Sequence, residues 1–193
     1  MTILIAGLAL FFGLHFLPMA SGLRASFVDR LGAMPYRGLY SILSIIGLVL
    51  IVYGYGEARI GDNPVLYTPP HWTRHLTMLL MVPVFILLIA AYVQGRIKAR
   101  FRHPMLLAVK IWAFAHLLVR GDLASVLLFG SFLAWAVIDR ISLKRRTDGE
   151  PSVAIHLSEK RRFGDVGIIL AGLAIFVWFV LQGHVLVIGV PLS

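Results

Sequence analysis

Long apolar segments alternate with short polar ones along the whole chain. A helix needs about 20 apolar residues to cross the hydrocarbon core of a bilayer. Six segments approach that length, at about residues 2–20, 38–56, 72–94, 104–119, 122–139 and 166–188. In lipid only helices and closed barrels satisfy their backbone hydrogen bonds. The pattern predicts an all-α fold, an integral membrane bundle of about six transmembrane helices in a single domain over residues 1–193.

Composition supports this prediction and excludes some kinds of chemistry. Of the 193 residues, 59% are hydrophobic and 14% are charged, whereas soluble domains have about 25% charged residues. The chain has no cysteine, which excludes disulfides, thiolate metal sites, iron–sulfur clusters and a cysteine nucleophile. No basic stretch lies on a soluble fold, so the net charge of +9 does not indicate nucleic acid. The expected partner is the lipid bilayer.

The charges of the connecting loops predict the orientation. Loops that flank transmembrane helices on the cytoplasmic side carry an excess of lysine and arginine. Basic loops alternate with loops that have no positive excess. The basic ones are 21–37, 95–103 and 139–165, and the others are 57–71 and 120–122. Six helices in this alternation place both termini outside.

Local signals predict some of the connections between helices. Leu23, Phe27 and Leu31 recur every four residues, which is typical of a short helix lying in the membrane interface. Gly121 suits a left-handed position after the fourth apolar helix, and Asp122 suits the N-cap of the fifth. So tight a connection predicts that these two helices pack as an antiparallel hairpin.

Polar side chains at membrane depth are the candidates for chemistry, because placing them in hydrocarbon is costly. The histidines among them are His15, His75, His103, His116 and His184. Each could simply form a hydrogen bond to a neighbouring helix. Two histidines from different helices can instead bind a haem iron. Several imidazoles, no cysteine and few acids favour haem over zinc or a di-iron carboxylate site.

Lys110 and His103 lie seven residues apart and therefore share one face of the fourth apolar helix. Pro104 suits the first position of this helix, which places His103 at its boundary. Lys110 can extend to the cytoplasmic surface or pair with Asp139. Its alternative role is to bind an anion, for instance a cofactor carboxylate.

A specific series of residues runs from the start of the fourth apolar segment into the fifth. This series resembles the NnrU family of bacterial membrane proteins, as does Gly13-Leu14-His15 near the start of the chain. It consists of Arg102-His103-Pro104-Met105-Leu106, Lys110-Ile111-Trp112-Ala113-Phe114-Ala115-His116-Leu117-Leu118 and Gly121-Asp122-Leu123-Ala124-Ser125.

The resemblance implies a multi-pass protein of the bacterial inner membrane that is associated with denitrification, the metabolism of nitrite and nitric oxide. The family is similar to the plant 15-cis-zeta-carotene isomerase, which uses haem b for a redox-dependent double-bond isomerisation. By position, the resemblance implies His15 and His116 as axial ligands of the iron, with His103 as a further family histidine. The proposed ligand switch of the plant enzyme involves a cysteine, so that step cannot operate here.

Depth and resemblance disagree on one ligand. With the predicted orientation, His75 and His116 both lie near the outer surface, whereas His15 lies near the inner end of the first helix. We favour His15 and His116, because the resemblance is specific, and keep His75 as the alternative to His15.

We therefore expect a haem-binding membrane protein that is isomerase-like or redox-linked. Lys110 is a candidate for binding haem, and a hydrophobic polyene or a small gas is the expected ligand. Two other classes stay open, a non-catalytic membrane accessory factor and a small transporter. The sequence identifies neither catalytic residues nor protein partners.

Overall fold

A computed structural model describes residues 1–147 and 160–189, and most of these residues are helical. The helices in this part of the chain are α1 Thr2–Phe16, α2 Ser21–Leu31, α3 Ala33–Ile60, α4 Thr73–Tyr92, α5 Arg96–Phe101, α6 Pro104–Leu117, α7 Leu123–Thr147, α8 Lys160–Trp178 and α9 His184–Ile188. A short 3₁₀ helix, Leu17–Met19, follows α1, and a π-helical segment, Phe179–Gly183, joins α8 to α9. The all-α class is confirmed for the described residues.

Five helical segments of the described chain are long and apolar enough to cross a membrane. They are Thr2–Met19, Ala33–Ile60, Thr73–Tyr92, Leu123–Arg145 and Gly164–Ile188. The remaining apolar segment, the fourth of the six predicted, forms α6. This helix has only 14 residues, which is about 21 Å at 1.5 Å per residue, against a hydrocarbon core of about 30 Å. By length and composition the helices fit an integral membrane bundle. The sixth crossing and the side of the termini stay predictions.

Several helices differ in extent from the predicted apolar segments. The short helix predicted around Leu23, Phe27 and Leu31 is confirmed as α2, with these three side chains exposed. Its location in the membrane interface stays a prediction. Helix α3 extends beyond 38–56 at both ends, because good helix formers such as arginine and glutamate continue it past the apolar stretch. Helix α5 lies in a segment that was predicted only as a basic loop. The ends of the predicted loop at 139–165 are helical, because α7 continues to Thr147 and α8 begins at Lys160. Residues 148–159 fall outside the described residues.

The chain divides into two compact units. The first comprises Met1–Pro70 and Arg120–Gly149, and the second comprises His71–Val119 and Glu150–Ser193. Helix α6 belongs to the second unit and α7 to the first, so the predicted hairpin of these two helices is not confirmed. The single domain over residues 1–193 stays a prediction.

In the first unit, α1 packs along α3, and α7 packs against both. One face of α3 is lined by small buried residues and one isoleucine. They are Gly47, Ile51, Gly54 and Ala58. A Cβ atom on Gly54 would lie 2.7 Å from the carbonyl carbon of Ile3, so the two helix backbones touch there. Small residues allow such close helix packing in membranes.

In the second unit, α4 packs against α6 and α8. Val84 and Leu87 of α4 form a buried core with Ala108 of α6. The buried Thr77 hydroxyl donates a 2.9 Å hydrogen bond to the carbonyl of Ala115. Hydrogen bonds of this kind between membrane helices contribute about 0.6 kcal/mol on average.

A carboxylate from α8 connects to the short basic helix α5 within the second unit. The buried Asp165 accepts hydrogen bonds from the backbone N–H groups of Arg96 at 3.2 Å and Ile97 at 3.4 Å. These N–H groups begin α5 and have no partner within the helix. Asp165 therefore caps α5 from another helix.

Candidate functional site

The imidazole of His15 lies in the last turn of α1 with a defined tautomer. Its Nδ1 is 2.8 Å from the carbonyl oxygen of Phe11. A carbonyl oxygen only accepts, so Nδ1 carries the hydrogen and Nε2 keeps its lone pair. The Phe11 ring stacks on the imidazole, with ring centroids 4.0 Å apart and an interplanar angle of 22°. These two contacts orient the ring and leave Nε2 as its acceptor or metal-binding atom.

Aromatic rings from two other helices surround His15. The centroid of the Tyr40 ring, on α3, is 5.7 Å from that of His15, and the Trp135 ring, on α7, is 5.6 Å away and perpendicular to it. Ser44 follows Tyr40 by one helical turn. We call Phe11, His15, Tyr40, Ser44 and Trp135 the His15 cluster. It is an aromatic enclosure around one histidine, built from three helices of the first unit.

Two polar atoms of the His15 cluster are buried without a hydrogen-bond partner, Trp135 Nε1 and Ser44 Oγ. An unpaired buried donor costs about 1–3 kcal/mol, so such atoms in a native structure call for an explanation. The sequence predicted no site role for either residue, because a serine or a tryptophan within an apolar segment is ordinary. The cluster therefore offers His15 Nε2 as an acceptor and two buried polar atoms that have no hydrogen-bond partner.

His116 lies in the last turn of α6, in the second unit, and repeats the geometry of His15. Its Nδ1 is 2.8 Å from the carbonyl oxygen of Trp112, four residues earlier in both helices. The Trp112 ring lies beside it, with centroids 5.4 Å apart. Both histidines that the resemblance implies as ligands therefore have the tautomer in which Nε2 can bind a metal.

His75 is exposed in the first turn of α4. Its ring centroid is 6.4 Å from that of His71. Thr77 binds the carbonyl of Ala115, so His75 and His116 lie at the same end of the α4–α6 pair. This agrees with the depth predicted for these two histidines.

The remaining candidates also lie in the second unit. His103 is the half-buried N-cap residue of α6, and Pro104 begins that helix, as predicted. Lys110 is half-buried two turns into α6. His184 begins α9, and its ring is perpendicular to that of Phe179, with centroids 5.8 Å apart. Residues 1–147 and 160–189 contain no group of three or more His, Cys, Asp or Glu that could hold a metal ion, whereas a haem iron needs only two axial ligands.

A second polar group lies where α7 begins, in the first unit. Asp122 accepts hydrogen bonds from the Ser125 backbone N–H at 2.9 Å, the Ser125 hydroxyl at 2.8 Å and the Asn63 amide at 2.9 Å. Asn63 Oδ1 accepts from the N–H of Ala124 at 3.0 Å. Since Ser125 gives its hydrogen to the carboxylate, the Tyr55 hydroxyl donates to Ser125 Oγ at 2.9 Å. We call Tyr55, Asn63, Asp122 and Ser125 the Asp122 network.

The Asp122 network confirms the predicted N-cap and affects its titration. Burial alone raises the pKa of Asp122, but the hydrogen bonds from Asn63 and Ser125 lower it, and the net pKa lies below its ordinary value. Hydrogen bonds to the charged form of a carboxylate always act in this direction. The carboxylate is therefore ionised at neutral pH and caps α7 as an anion.

Gly121 has a different role from the one predicted. Its φ is not positive, so the left-handed conformation expected from the sequence is wrong. A Cβ atom there would instead collide with the carbonyl oxygen of Tyr67. The N–H of Leu66 donates to the Gly121 carbonyl at 2.7 Å, and Val65 forms an isolated antiparallel bridge with Asp122. The segment after α3 therefore binds the start of α7, which explains why α7 belongs to the unit of α3.

Comparison with known proteins assigns the family. No curated protein and no solved structure matches the chain. The sequence profile of one family, described as NnrU protein, matches residues 3–192, which is nearly the whole chain. Together with the apolar helices, this match shows that the chain is a member of the NnrU family.

Proposed function

We propose that this NnrU protein is a haem b-binding, multi-pass protein of the bacterial inner membrane that is isomerase-like or redox-linked and acts in denitrification. The observation that carries the proposal is the shared tautomer of His15 and His116. Both donate Nδ1–H to the carbonyl four residues earlier at 2.8 Å. Each Nε2 is then the atom that can offer a lone pair to iron. Family membership supports the link to denitrification.

The residues around His15 fit a haem in their chemistry. Haem is a large apolar plane with two carboxylates, and aromatic rings enclose His15 on α1, α3 and α7. Two polar atoms there have no partner in the protein. Lys110 is half-buried on the same helix as His116 and would bind a haem carboxylate. Bound haem would supply an iron that exchanges electrons and that binds a polyene or a small gas such as nitric oxide when one imidazole leaves.

The protein groups would hold and orient this cofactor. The carbonyls of Phe11 and Trp112 would keep the two imidazoles in the metal-binding tautomer, as hydrogen-bond partners of haem and zinc ligands do. His103, at the start of α6, would lie at the boundary of the site. His75 is the alternative to His15, because it lies at the same end of the α4–α6 pair as His116.

Absorption spectra test the haem site directly. The protein is produced with a supply of haem, and the Soret band is recorded for the wild type, His15→Ala, His116→Ala and His75→Ala. We expect the band to be lost in the first two variants and kept in the third. A colourless wild type would refute the proposal, and a partner then recovered by crosslinking would indicate an accessory factor. Loss only in His75→Ala and His116→Ala would move the ligand to His75.

Lys110→Met separates the two roles of this lysine. If Lys110 binds a haem carboxylate, the variant should fold normally and lose haem more readily, because a charged partner has been removed. Equal haem retention in wild type and variant would leave Lys110 only the role of extending to the membrane surface.

The proposed orientation has both termini outside and α5 in the cytoplasm. The chain has no cysteine, so single cysteines can be introduced without background. Asp62→Cys, in the loop after α3, and Arg100→Cys, in α5, are both at exposed positions. We expect an impermeant thiol reagent to label them from opposite sides of the membrane. Labelling of both from one side would contradict the orientation.

A further inference from the structure

We propose that Trp135 anchors the cofactor, because its indole N–H donates a hydrogen bond to a carboxylate oxygen of the haem held at His15. This inference rests on the proposed haem site and deepens it by giving a role to Trp135, for which the sequence predicted no function.

The first observation is an unused donor beside the histidine. Trp135 Nε1 is buried without a hydrogen-bond partner, and its ring is perpendicular to that of His15, with centroids 5.6 Å apart. An indole N–H can only donate. A haem held at His15 would therefore have, close to its imidazole ligand, a donor that needs an acceptor.

The second observation is that the neighbouring acceptor in the cluster is already used. The carbonyl of Phe11 accepts from His15 Nδ1. Ser44 Oγ is also buried without a partner, but a hydroxyl can both donate and accept, so Trp135 Nε1 is the group that strictly needs an acceptor. A donor without an acceptor suits an oxygen-bearing ligand, and a bond to a charged oxygen is roughly twice as strong as one to a neutral oxygen.

The charges near the cluster permit a carboxylate. Asp139 lies one turn after Trp135 on α7 and interacts electrostatically with Tyr40. Arg37 lies one turn before Tyr40 on α3, and Arg140 follows Asp139. Helix α2, which contacts α3, adds Arg24, Arg30 and Asp29, so four arginines outnumber two acids in these segments. A haem carboxylate would meet a net positive field as well as the indole N–H.

The rate of haem release tests the role of Trp135. Wild type, Trp135→Phe and Trp178→Phe are loaded with protohaem or with haem dimethyl ester, and transfer to a haem-scavenging globin is followed by absorbance. Trp178 is the control, since it is 51% exposed on α8. We expect Trp135→Phe to release protohaem about tenfold faster than wild type, the loss of one charge-assisted bond. With the dimethyl ester, which lacks the charge, the ratio should fall to about twofold, and Trp178→Phe should match wild type with both.

Two results would overturn the inference while leaving the haem site intact. One is equal release from wild type and Trp135→Phe, and the other is the same ratio for both porphyrins, which would mean that the indole only packs or holds a water molecule. A wild type that binds no haem would instead refute the proposed function, and this inference with it.

A measurement on the wild type covers the case in which Trp135→Phe does not fold. Ultraviolet resonance Raman spectra report whether an indole N–H is hydrogen bonded, and the chain has four tryptophans. We expect haem binding to convert one of the four from a free to a hydrogen-bonded N–H. Unchanged indole bands on haem binding would overturn the inference.

Discussion

The first unit contains two polar groups that differ in whether their buried polar atoms form hydrogen bonds. In the Asp122 network, the carboxylate, amide and hydroxyls bind one another and the start of α7. In the His15 cluster, Trp135 Nε1 and Ser44 Oγ have no partner. Polar networks that are fully satisfied rigidify a fold, whereas a partly satisfied one is costly unless something else binds it. The first group therefore has a structural role, and the unpaired atoms of the second are consistent with the ligand-binding role that we propose for it.

Two serines show the contrast most simply. Ser125 is 0% exposed, and its hydroxyl both accepts from Tyr55 and donates to Asp122. Ser44 Oγ is also buried but lacks a well-formed hydrogen bond. The same residue type therefore stabilises the fold at one position and leaves hydrogen-bonding capacity unused at the other.

The largest effect on stability is expected where α1 meets α3, because the two helix backbones touch at Gly54. Both helices also carry residues of the His15 cluster. Gly54→Leu should force the two backbones apart and cost about 3 kcal/mol of unfolding free energy, at the upper end of overpacking penalties. Gly56→Leu is the matched control, since nothing lies within 4 Å of a Cβ atom there. Thermal unfolding in detergent measures both. Equal stability of the two variants would contradict the close contact of α1 and α3.

Removing the carboxylate should damage the Asp122 network without affecting the His15 cluster. Asp122→Ala leaves the donors of Ser125 and Asn63 without their acceptor and removes the N-cap of α7. We expect a loss of about 2 kcal/mol of unfolding free energy, from buried donors left unpaired and a lost cap. Haem content per folded protein should not change. If the variant folds stably but loses haem, the Asp122 network and the His15 cluster would belong to one site, which would contradict this separation.

The pH dependence of this loss has a defined sign. The pKa of Asp122 is lower in the folded protein than its ordinary value, so its stabilisation is complete above the unfolded pKa and is lost as pH falls through the folded pKa. The gap in melting temperature between wild type and Asp122→Ala should therefore be largest near neutral pH. It should shrink as the pH falls below about 4, the ordinary range for aspartate. A gap that widens on acidification would contradict this assignment.

The smallest expected effect is the difference in unfolding free energy between alanine variants of the two serines. Ser125→Ala removes two hydrogen bonds and should cost about 1 kcal/mol. Ser44→Ala removes a donor that has no partner in the haem-free protein, so its unfolding free energy should change by less than about 0.5 kcal/mol. Chemical or thermal unfolding of the haem-free variants measures the difference. A larger loss at Ser44 than at Ser125 would reverse the comparison.

Much of the fold follows from the sequence because it depends on local signals. The lengths of the apolar segments predict the long helices, and the capping role of Asp122 and the start of α6 at Pro104 follow from residue types at helix ends. The partner of each helix does not follow. The carbonyl of Tyr67 approaches Gly121 from a segment more than fifty positions away, and no local pattern reveals that contact.

The candidate site follows from the sequence only in part, for the same reason. His15 and Phe11 are four residues apart on one helix, so their hydrogen bond could be inferred from helix geometry. The positions of Trp135 and Tyr40 beside His15 depend on how α7 and α3 are rotated about their axes. Apolar residues occur all around these helices, so periodicity does not define that rotation.

Haem content measured on two variants tests the contrast most directly. Wild type, His15→Ala and Ser125→Ala are purified after production with haem, and haem per folded protein is measured as the pyridine haemochrome. We expect haem in wild type and in Ser125→Ala, which alters only the structural network, and little or none in His15→Ala. Full haem content in His15→Ala would contradict the assignment of the His15 cluster as the ligand-binding region.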